Sequence, residues 1–441
     1  MEDAYIVHGG KKLEGEVALS GAKNASLKML IAALIFDEEV TFCNVPKIND
    51  VLDLMQLIRL MGGKADFTDT NTVVVSGKNI TVNKLDLLHA SKFRASFMFF
   101  APLLVRLKEC HVPNPGGCRI GARPIDRIIE GMKALGVVVD YDSKTGYYHA
   151  KMSDFPKGSY TFEKSSHTGT ELLIMLSVIG KHSVTIGNAG PEPEIDALIS
   201  FFNKAGGNIK RSGNDIIVKG VESLHYKEPF KIVSDRNEAI TYVSMAIATK
   251  GSVTVHGIEP VHIQSFIDYA KKAGVFVEIK SPTSIYFAYK NKLNAVSIET
   301  GPHPGFMTDW QQNWAIMMLQ ADGECIIHER VFENRFAYVE ELRKLGAKID
   351  FVKVPVTNPS EYFFFNFDPS KKYQQAIKIV GPQSLHNGVV HITDLRAGAT
   401  LVIASLVAQG ETIIHGASIA QRGYEDLIRK VRALGGDIRE V

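Results

Sequence analysis

The chain has 441 residues, more than one compact core accommodates, so two domains are expected. Fifty basic residues stand against 48 acidic ones, a formal charge of +2, without the basic stripe or tail that nucleic-acid binding needs. The four cysteines lie far apart with no Cys-x-x-Cys pair, and the longest apolar runs (29–36 and 97–105) are too short to span a bilayer, which disfavours a disulfide scaffold, a structural zinc site and a membrane protein.

The opening residues Met-Glu-Asp-Ala-Tyr lack the basic region and apolar core of a secretion signal, so a cytoplasmic protein is expected. One phrase then recurs six times: the end of an amphipathic helix, a glycine, and a short alternating strand. It reads LIRLMGGKADF at Gly62, GMKALGVVVDY at Gly136, FFNKAGGNIKR at Gly206, YAKKAGVFVEI at Gly274, ELRKLGAKIDF at Gly346 and KVRALGGDIRE at Gly435. Glycine supplies the left-handed turn that ends a helix, and the alternation that follows predicts a half-buried strand. Upstream in each copy lies a strand such as Ser252–His256 or 412–415, preceded by a mostly apolar helix such as 240–248 or 401–408. The predicted unit is therefore strand, buried helix, strand, exposed helix, strand, and six copies suggest an α/β protein of two three-unit domains.

Between the first and second of these phrases, ahead of the helix that ends at Gly136, lies Pro113-Asn-Pro-Gly-Gly-Cys118-Arg-Ile-Gly-Ala-Arg123-Pro-Ile-Asp126. No apolar pattern buries Cys118, and its basic neighbours favour the thiolate, so it reads as a reactive group. Arg123 precedes Pro124 and is expected to be extended. Pro124 is expected at the first helical position, followed by an apolar face of Ile125, Ile128, Ile129, Met132 and Leu135.

Junctions before the apolar helices read SGAKNA at Lys23, KFRASF at Arg94, SSHTGT at His167, SDRNEA at Arg236, FMTDWQ at Asp309 and TDLRAG at Arg396. Those before the amphipathic helices include GARPID at Arg123, ENRFAY at Arg335 and AQRGYE at Arg422. Cations recur where a helix start prefers an acid, and several together would suit phosphate and carboxylate. Asp309 ends the rigid loop Gly301-Pro-His-Pro-Gly-Phe-Met-Thr-Asp, where it reads as a helix cap or, beside cations, as a general base. The segment 352–388 reads as an added hairpin turning at Asp368-Pro369-Ser370. The histidines show no metal-ligand spacing, and no phosphate-loop or dinucleotide fingerprint appears.

Taken together, these residues resemble the enolpyruvyl transferases along nearly the whole chain. The likeness is carried by Leu13-Glu-Gly-Glu-Val-Ala-Leu-Ser-Gly-Ala-Lys23-Asn24, Gly116-Gly117-Cys118, Gly121-Ala-Arg-Pro124, Val331-Phe-Glu-Asn-Arg-Phe336, Asp394-Leu-Arg396 and Arg422-Gly-Tyr-Glu-Asp426. The resemblance implies an inside-out α/β barrel in each of two similar domains, 1–22 plus 236–441 and 23–235. The chain would cross twice between them, with the active site in the cleft. It implies transfer of the enolpyruvyl group of phosphoenolpyruvate to the sugar 3-hydroxyl of UDP-N-acetylglucosamine, releasing phosphate, as the first committed step of peptidoglycan synthesis.

By the same resemblance, Cys118 would protonate the methylene carbon of phosphoenolpyruvate, form a pyruvate adduct and be alkylated by fosfomycin. Asp309 would take the proton of the attacking hydroxyl. Lys23, Arg94, Arg123, Arg396 and Arg422 would hold phosphoenolpyruvate, and Arg335 would be a further interdomain arginine. Asn24, Arg94, Arg123, Pro124, Ile125, Asp126, Arg127, Lys164, Ser166, Asp309 and Val331 would line the nucleotide-sugar site. No metal, organic cofactor or obligate protein partner is implied.

Three departures accompany the likeness: His167-Thr-Gly-Thr170 after Ser166, Gln421 before Arg422, and Asn237 with Ile240 in a segment that usually holds a glycine. An enolpyruvyl transferase with another nucleotide acceptor is therefore an alternative. A non-catalytic nucleotide-sugar binder is a second, against which Cys118 and Asp309 argue.

Overall fold

The computed structural model describes residues 3–116, 121 and 123–441. All six helix-ending glycines adopt the left-handed conformation, with φ of 92° at Gly62, 96° at Gly136, 95° at Gly206, 91° at Gly274, 87° at Gly346 and 91° at Gly435. At Gly136 and Gly206 no heavy atom lies within 4 Å of where a Cβ would stand. The dihedral angle, not crowding, calls for glycine there.

The chain divides into two compact units. One holds the described residues of Met1–Ser20, Arg119–Arg123 and Ser234–Val441; the other holds those of Gly21–Cys118 and Pro124–Val233. In the second unit, strand Gly158–Thr161 runs parallel to Ser183–Gly187, with the buried helix His167–Ser177 crossing between them. The half-buried helix Pro193–Lys204 follows, and then the antiparallel hairpin Asn208–Ser212 and Asp215–Lys219 completes the sheet. This repeat thus carries one strand more than the sequence pattern suggested, because the hairpin's return strand sits in the middle of the sheet.

The unit's second sheet orders Phe230–Lys231, Val40–Cys43, Thr72–Ser76 and Lys64–Asp69. The third has three strands, Glu109–Pro113, Tyr147–Lys151 and Val138–Asp142, and a single parallel bridge from Lys84 to His111 stands where the fourth would pair. Helices Lys23–Ala32, Phe100–Leu107 and His167–Ser177 fill the interior.

The first unit repeats the plan with strands borrowed from the chain's beginning. Glu14–Ala18 pairs in parallel with Ser252–His256, and Ala4–His8 lies between Glu411–His415 and Asp437–Glu440. The third sheet orders Ile298–Glu299, Gly323–His328, Ala376–Gly381 and Ile349–Phe351. Helices Arg236–Ala248, Gln311–Leu319 and Leu395–Val407 pack on one another inside. Every residue of Arg236–Ala248 is buried, so the helix needs no polar face and its sequence shows none. Each fully buried leucine or isoleucine in such a core contributes roughly 1.5–3 kcal/mol.

The segment 352–388 is not an added hairpin. Its strand Ala376–Gly381 is the sheet's own, and the excursion before it holds only the one-turn helix Pro359–Tyr362 among the described residues. Phe363 and Phe365 tuck beneath it with rings 4.9 Å apart, so the aromatics serve as a small satellite core. The expected turn is present: Asp368 accepts from the backbone N–H of Ser370 at 3.0 Å. Among the described residues no helix is long and apolar enough to cross a membrane.

Candidate active site

In the first unit two of the three buried helices, Arg236–Ala248 and Leu395–Val407, begin with an acid as well as a cation. Asp235 accepts from the N–H groups of Asn237 and Glu238 at 2.7 and 3.2 Å, and Asp394 from those of Arg396 and Ala397 at 2.9 and 3.1 Å. The acid that a helix start prefers is therefore supplied one or two positions ahead of the arginine, which leaves the guanidinium for other work.

Asp309 lies in the one-turn helix Thr308–Trp310 and caps nothing. Its Oδ1 receives Arg335 Nη2 at 2.5 Å, while Oδ2 lies 3.4 Å from Arg396 Nε and 3.4 Å from Asn237 Nδ2. The carboxylate side chain keeps 23% exposure, but the guanidiniums behind it keep only 3% and 6%. Burial alone would raise the carboxyl's pKa; Arg335, Arg396 and Arg123 together outweigh it and hold Asp309 below the usual aspartate range. Arg335 Nε and Arg396 Nη1 are buried and have no hydrogen-bond partner among the described residues. Unpaired guanidinium N–H groups are strong donors that suit a carboxylate or phosphate oxygen.

Surrounding groups fix this cluster. Buried Glu329 accepts from Thr308 Oγ1 at 2.8 Å and from the N–H groups of Val331 and Phe332 at 2.7 and 3.1 Å, tying the Asp309 turn to the Val331 segment. Both Arg123 and Arg335 lie over the Phe332 ring, at 5.2 and 5.6 Å. One helical turn inward, Asn313 Nδ2 donates to Thr241 Oγ1 at 3.1 Å and Asn313 Oδ1 accepts from Thr400 at 2.8 Å, so a polar layer links the three helices. Asn237, met in the sequence only as a departure, accepts the Trp310 indole N–H at 2.8 Å.

Arg422 follows the short helix Ala417–Ala420. A Cβ on its neighbour Gly423 would stand 2.7 Å from Leu395 Cδ2, so glycine lets this turn press against the start of the Arg396 helix. Tyr424 meets Thr241 at 2.9 Å, and Arg396 lies 5.4 Å from its ring. Gln421 donates to Glu440 at 2.7 Å on the surface.

Two expectations about Arg123 fail. Its φ is +47°, left-handed rather than extended, and the helix begins at Asp126 rather than at Pro124. The charge of Asp309 and the face of Phe332 accompany that conformation. Cys118 lies outside the described residues.

In the second unit Lys23 opens its helix, buried and 2.7 Å from Asp50, with Asn24 beside it. Arg94 opens the short helix Arg94–Phe99, its guanidinium 5.9 Å from the Phe97 ring. Ser166 is a helix cap, its Oγ accepting from Gly169 N–H at 3.1 Å. His167 Nε2 lies 3.2 Å from Glu171, which also takes Lys28 at 2.9 Å. Burial followed by the charge of Arg127 lowers the pKa of Lys164, which makes those two cations neighbours. Ile125 is buried at the start of helix Asp126–Ala134, with Asp126 in its first turn. Asp50, Glu171 and Glu329 were not anticipated, because partners brought by packing leave no local pattern.

Residues 7–431 match the family model described as EPSP synthase (3-phosphoshikimate 1-carboxyvinyltransferase), and the chain belongs to this family of enolpyruvyl transferases. Curated relatives named UDP-N-acetylglucosamine 1-carboxyvinyltransferase are similar along their full length. That of Desulfosudis oleivorans is 35% identical over 440 residues, covering 100% of this chain and 99% of its own. That of Desulforapulum autotrophicum is 36% identical over 442 residues, covering 100% of both. The solved enolpyruvyl transferase NikO of Streptomyces tendae shares the fold with a TM-score of 0.84 at 20% identity, covering 100% of this chain and 99% of that one. The EPSP synthase of Acinetobacter baumannii does so with a TM-score of 0.69 at 17% identity, covering 99% and 100%.

Proposed function

We propose that this enzyme transfers the enolpyruvyl group of phosphoenolpyruvate to the 3-hydroxyl of UDP-N-acetylglucosamine, releasing phosphate, in the cytoplasm and at the entry to peptidoglycan synthesis. The observation that carries the reading is the ionised Asp309 flanked by Arg335 and Arg396, each with one buried guanidinium nitrogen unpaired among the described residues. The names of the full-length relatives support the same acceptor.

Addition forms a bond from the sugar oxygen to C2 of phosphoenolpyruvate, while a proton arrives at C3. Elimination then removes a proton from C3 and expels phosphate. Cys118 supplies the proton to carbon. Asp309 receives the hydroxyl proton, and the anionic substrate assists by drawing arginine charge away from the carboxylate, which raises its basicity. Lys23, Arg94, Arg123, Arg396 and Arg422 bind phosphate and carboxylate and stabilise the departing charge. Asn24, Arg127, Lys164, Ser166 and Val331 hold the nucleotide sugar.

Phosphate release from phosphoenolpyruvate, measured with a panel of nucleotide sugars and shikimate 3-phosphate, tests the reading. Turnover is expected with UDP-N-acetylglucosamine, and turnover only with another acceptor would overturn the assignment. Cys118→Ser is expected to impair turnover severely and abolish fosfomycin alkylation; undiminished alkylation would place the reactive group elsewhere.

A further inference from the structure

Glu109, His111 and His149 lie in the second unit on the adjacent strands Glu109–Pro113 and Tyr147–Lys151. Register, not spacing, assembles them: His111 pairs directly opposite His149, and Glu109 lies two residues from His111 on the same face. The imidazole rings stack with centroids 4.3 Å apart and planes 5° from parallel. His149 Nε2 is 2.5 Å from Glu109 Oε1, and one ligand atom from each of the three lies within 4.8 Å of the others.

We propose that Glu109, His111 and His149 form a binding site for a divalent transition-metal ion, Zn²⁺ being the best match. Two imidazoles and one carboxylate are a common zinc donor set, and bond lengths of about 2.0–2.2 Å put tetrahedral ligand atoms roughly 3.3 Å apart. Small rotations of half-buried side chains on rigid strands reach that spacing. The fourth position is left to water.

Facing charges are balanced: Lys151 lies 3.3 Å from Glu109, Lys84 is close enough to act on His111, and Asp140 stands opposite His149 on the outer strand Val138–Asp142. The ion would staple the one sheet of this unit that has three strands, where a lone bridge at Lys84 replaces the fourth. None of the three residues has a role in the transferase chemistry proposed above, so the site is additional to it.

The test is titration of the full chain with Zn²⁺ by calorimetry and with Co²⁺ by visible absorption. One equivalent is expected on the parent, with a Co²⁺ spectrum free of the thiolate charge-transfer band that a cysteine ligand would give. His111→Gln and His149→Gln should each weaken binding by at least about tenfold. Metal should raise the melting temperature of the parent but not of the double variant, while turnover with phosphoenolpyruvate stays unchanged. The proposal falls if the parent binds no Zn²⁺ at 100-fold excess, if the double variant binds like the parent, or if the Co²⁺ spectrum reports thiolate.

Discussion

Asp309→Asn keeps the shape of the side chain and removes its charge. Two guanidiniums with 3% and 6% exposure then lose their counter-charge. Removing one partner of a buried pair costs about 3–5 kcal/mol, and the 23% exposure of Asp309 places this case near the lower end, at about 3 kcal/mol. For a unit of 150–250 residues each kcal/mol shifts melting by about 2–4 °C, so a fall of about 6–12 °C is expected. Inorganic phosphate should reverse most of it, since an anion at a hundred times its Kd returns about 2.7 kcal/mol.

Because the folded pKa of Asp309 lies below the unfolded value, its contribution is present above about pH 3.9 and is lost as pH falls through the folded value. Parent and variant melting curves should therefore converge in strong acid. Loss of the base should lower turnover by about 10²–10⁴-fold. Thermal melts with and without phosphate, paired with phosphate-release rates, read all of this. A variant melting within 2 °C of the parent, indifferent to phosphate, refutes the electrostatic argument, and near-normal turnover removes Asp309 from the role of base.

Lys23→Met should lower kcat/KM for phosphoenolpyruvate by about 10–100-fold, the worth of one charge-assisted hydrogen bond; an unchanged value would take Lys23 out of phosphate binding. Asn237→Ala leaves the Trp310 indole N–H unpaired and should cost about 1–3 kcal/mol in urea unfolding. For His167, burial is overridden by Glu171, so its pKa is raised, while the pKa of Glu171 is lowered by His167 and Lys28 against its own burial. The histidine's contribution is complete below about pH 6.5 and lost as pH rises through its raised value; the glutamate's is present above about pH 4.3 and lost as pH falls through its lowered value. His167→Gln should therefore lose the alkaline decline in stability, and matching pH slopes for parent and variant would sink that assignment.

The repeat was legible because each copy ends a helix at a glycine, and a helix end imposes a local conformational demand. Cations at helix starts were equally plain, although the capping role of the acids beside them, Asp235 and Asp394, was not read from the sequence. Asp-Arg and Asp-Leu-Arg contain both the cap and the charge that the cap releases. The grip of Arg335 and Arg396 on Asp309 was not legible, since it exists only once a loop and two helix starts far apart in the chain pack together. Arg123 shows the limit of a local rule: proline disfavours one conformation for the preceding residue, but Asp309 and Phe332 accompany another. Four return strands, such as Asp215–Lys219 after Asn208–Ser212, were missed because each follows its partner after too short a turn to register as a separate element; Ala376–Gly381 was hidden by the long excursion before it, and Ala4–His8 by its place at the far end of the chain. Glu109, His111 and His149 carry no signal along the chain, because an antiparallel register unites them.

The pairing of Ala4–His8 with Glu411–His415 and Asp437–Glu440 sets an order of events during biosynthesis. At a translation rate of about 5–20 residues per second, this strand waits roughly 20–90 s for its neighbours to leave the ribosome. Residues 21–233 emerge in that interval carrying all the strands their own three sheets use. The nascent chain must meanwhile keep the two earliest strands, whose backbone groups are still unpaired, from joining a foreign sheet edge.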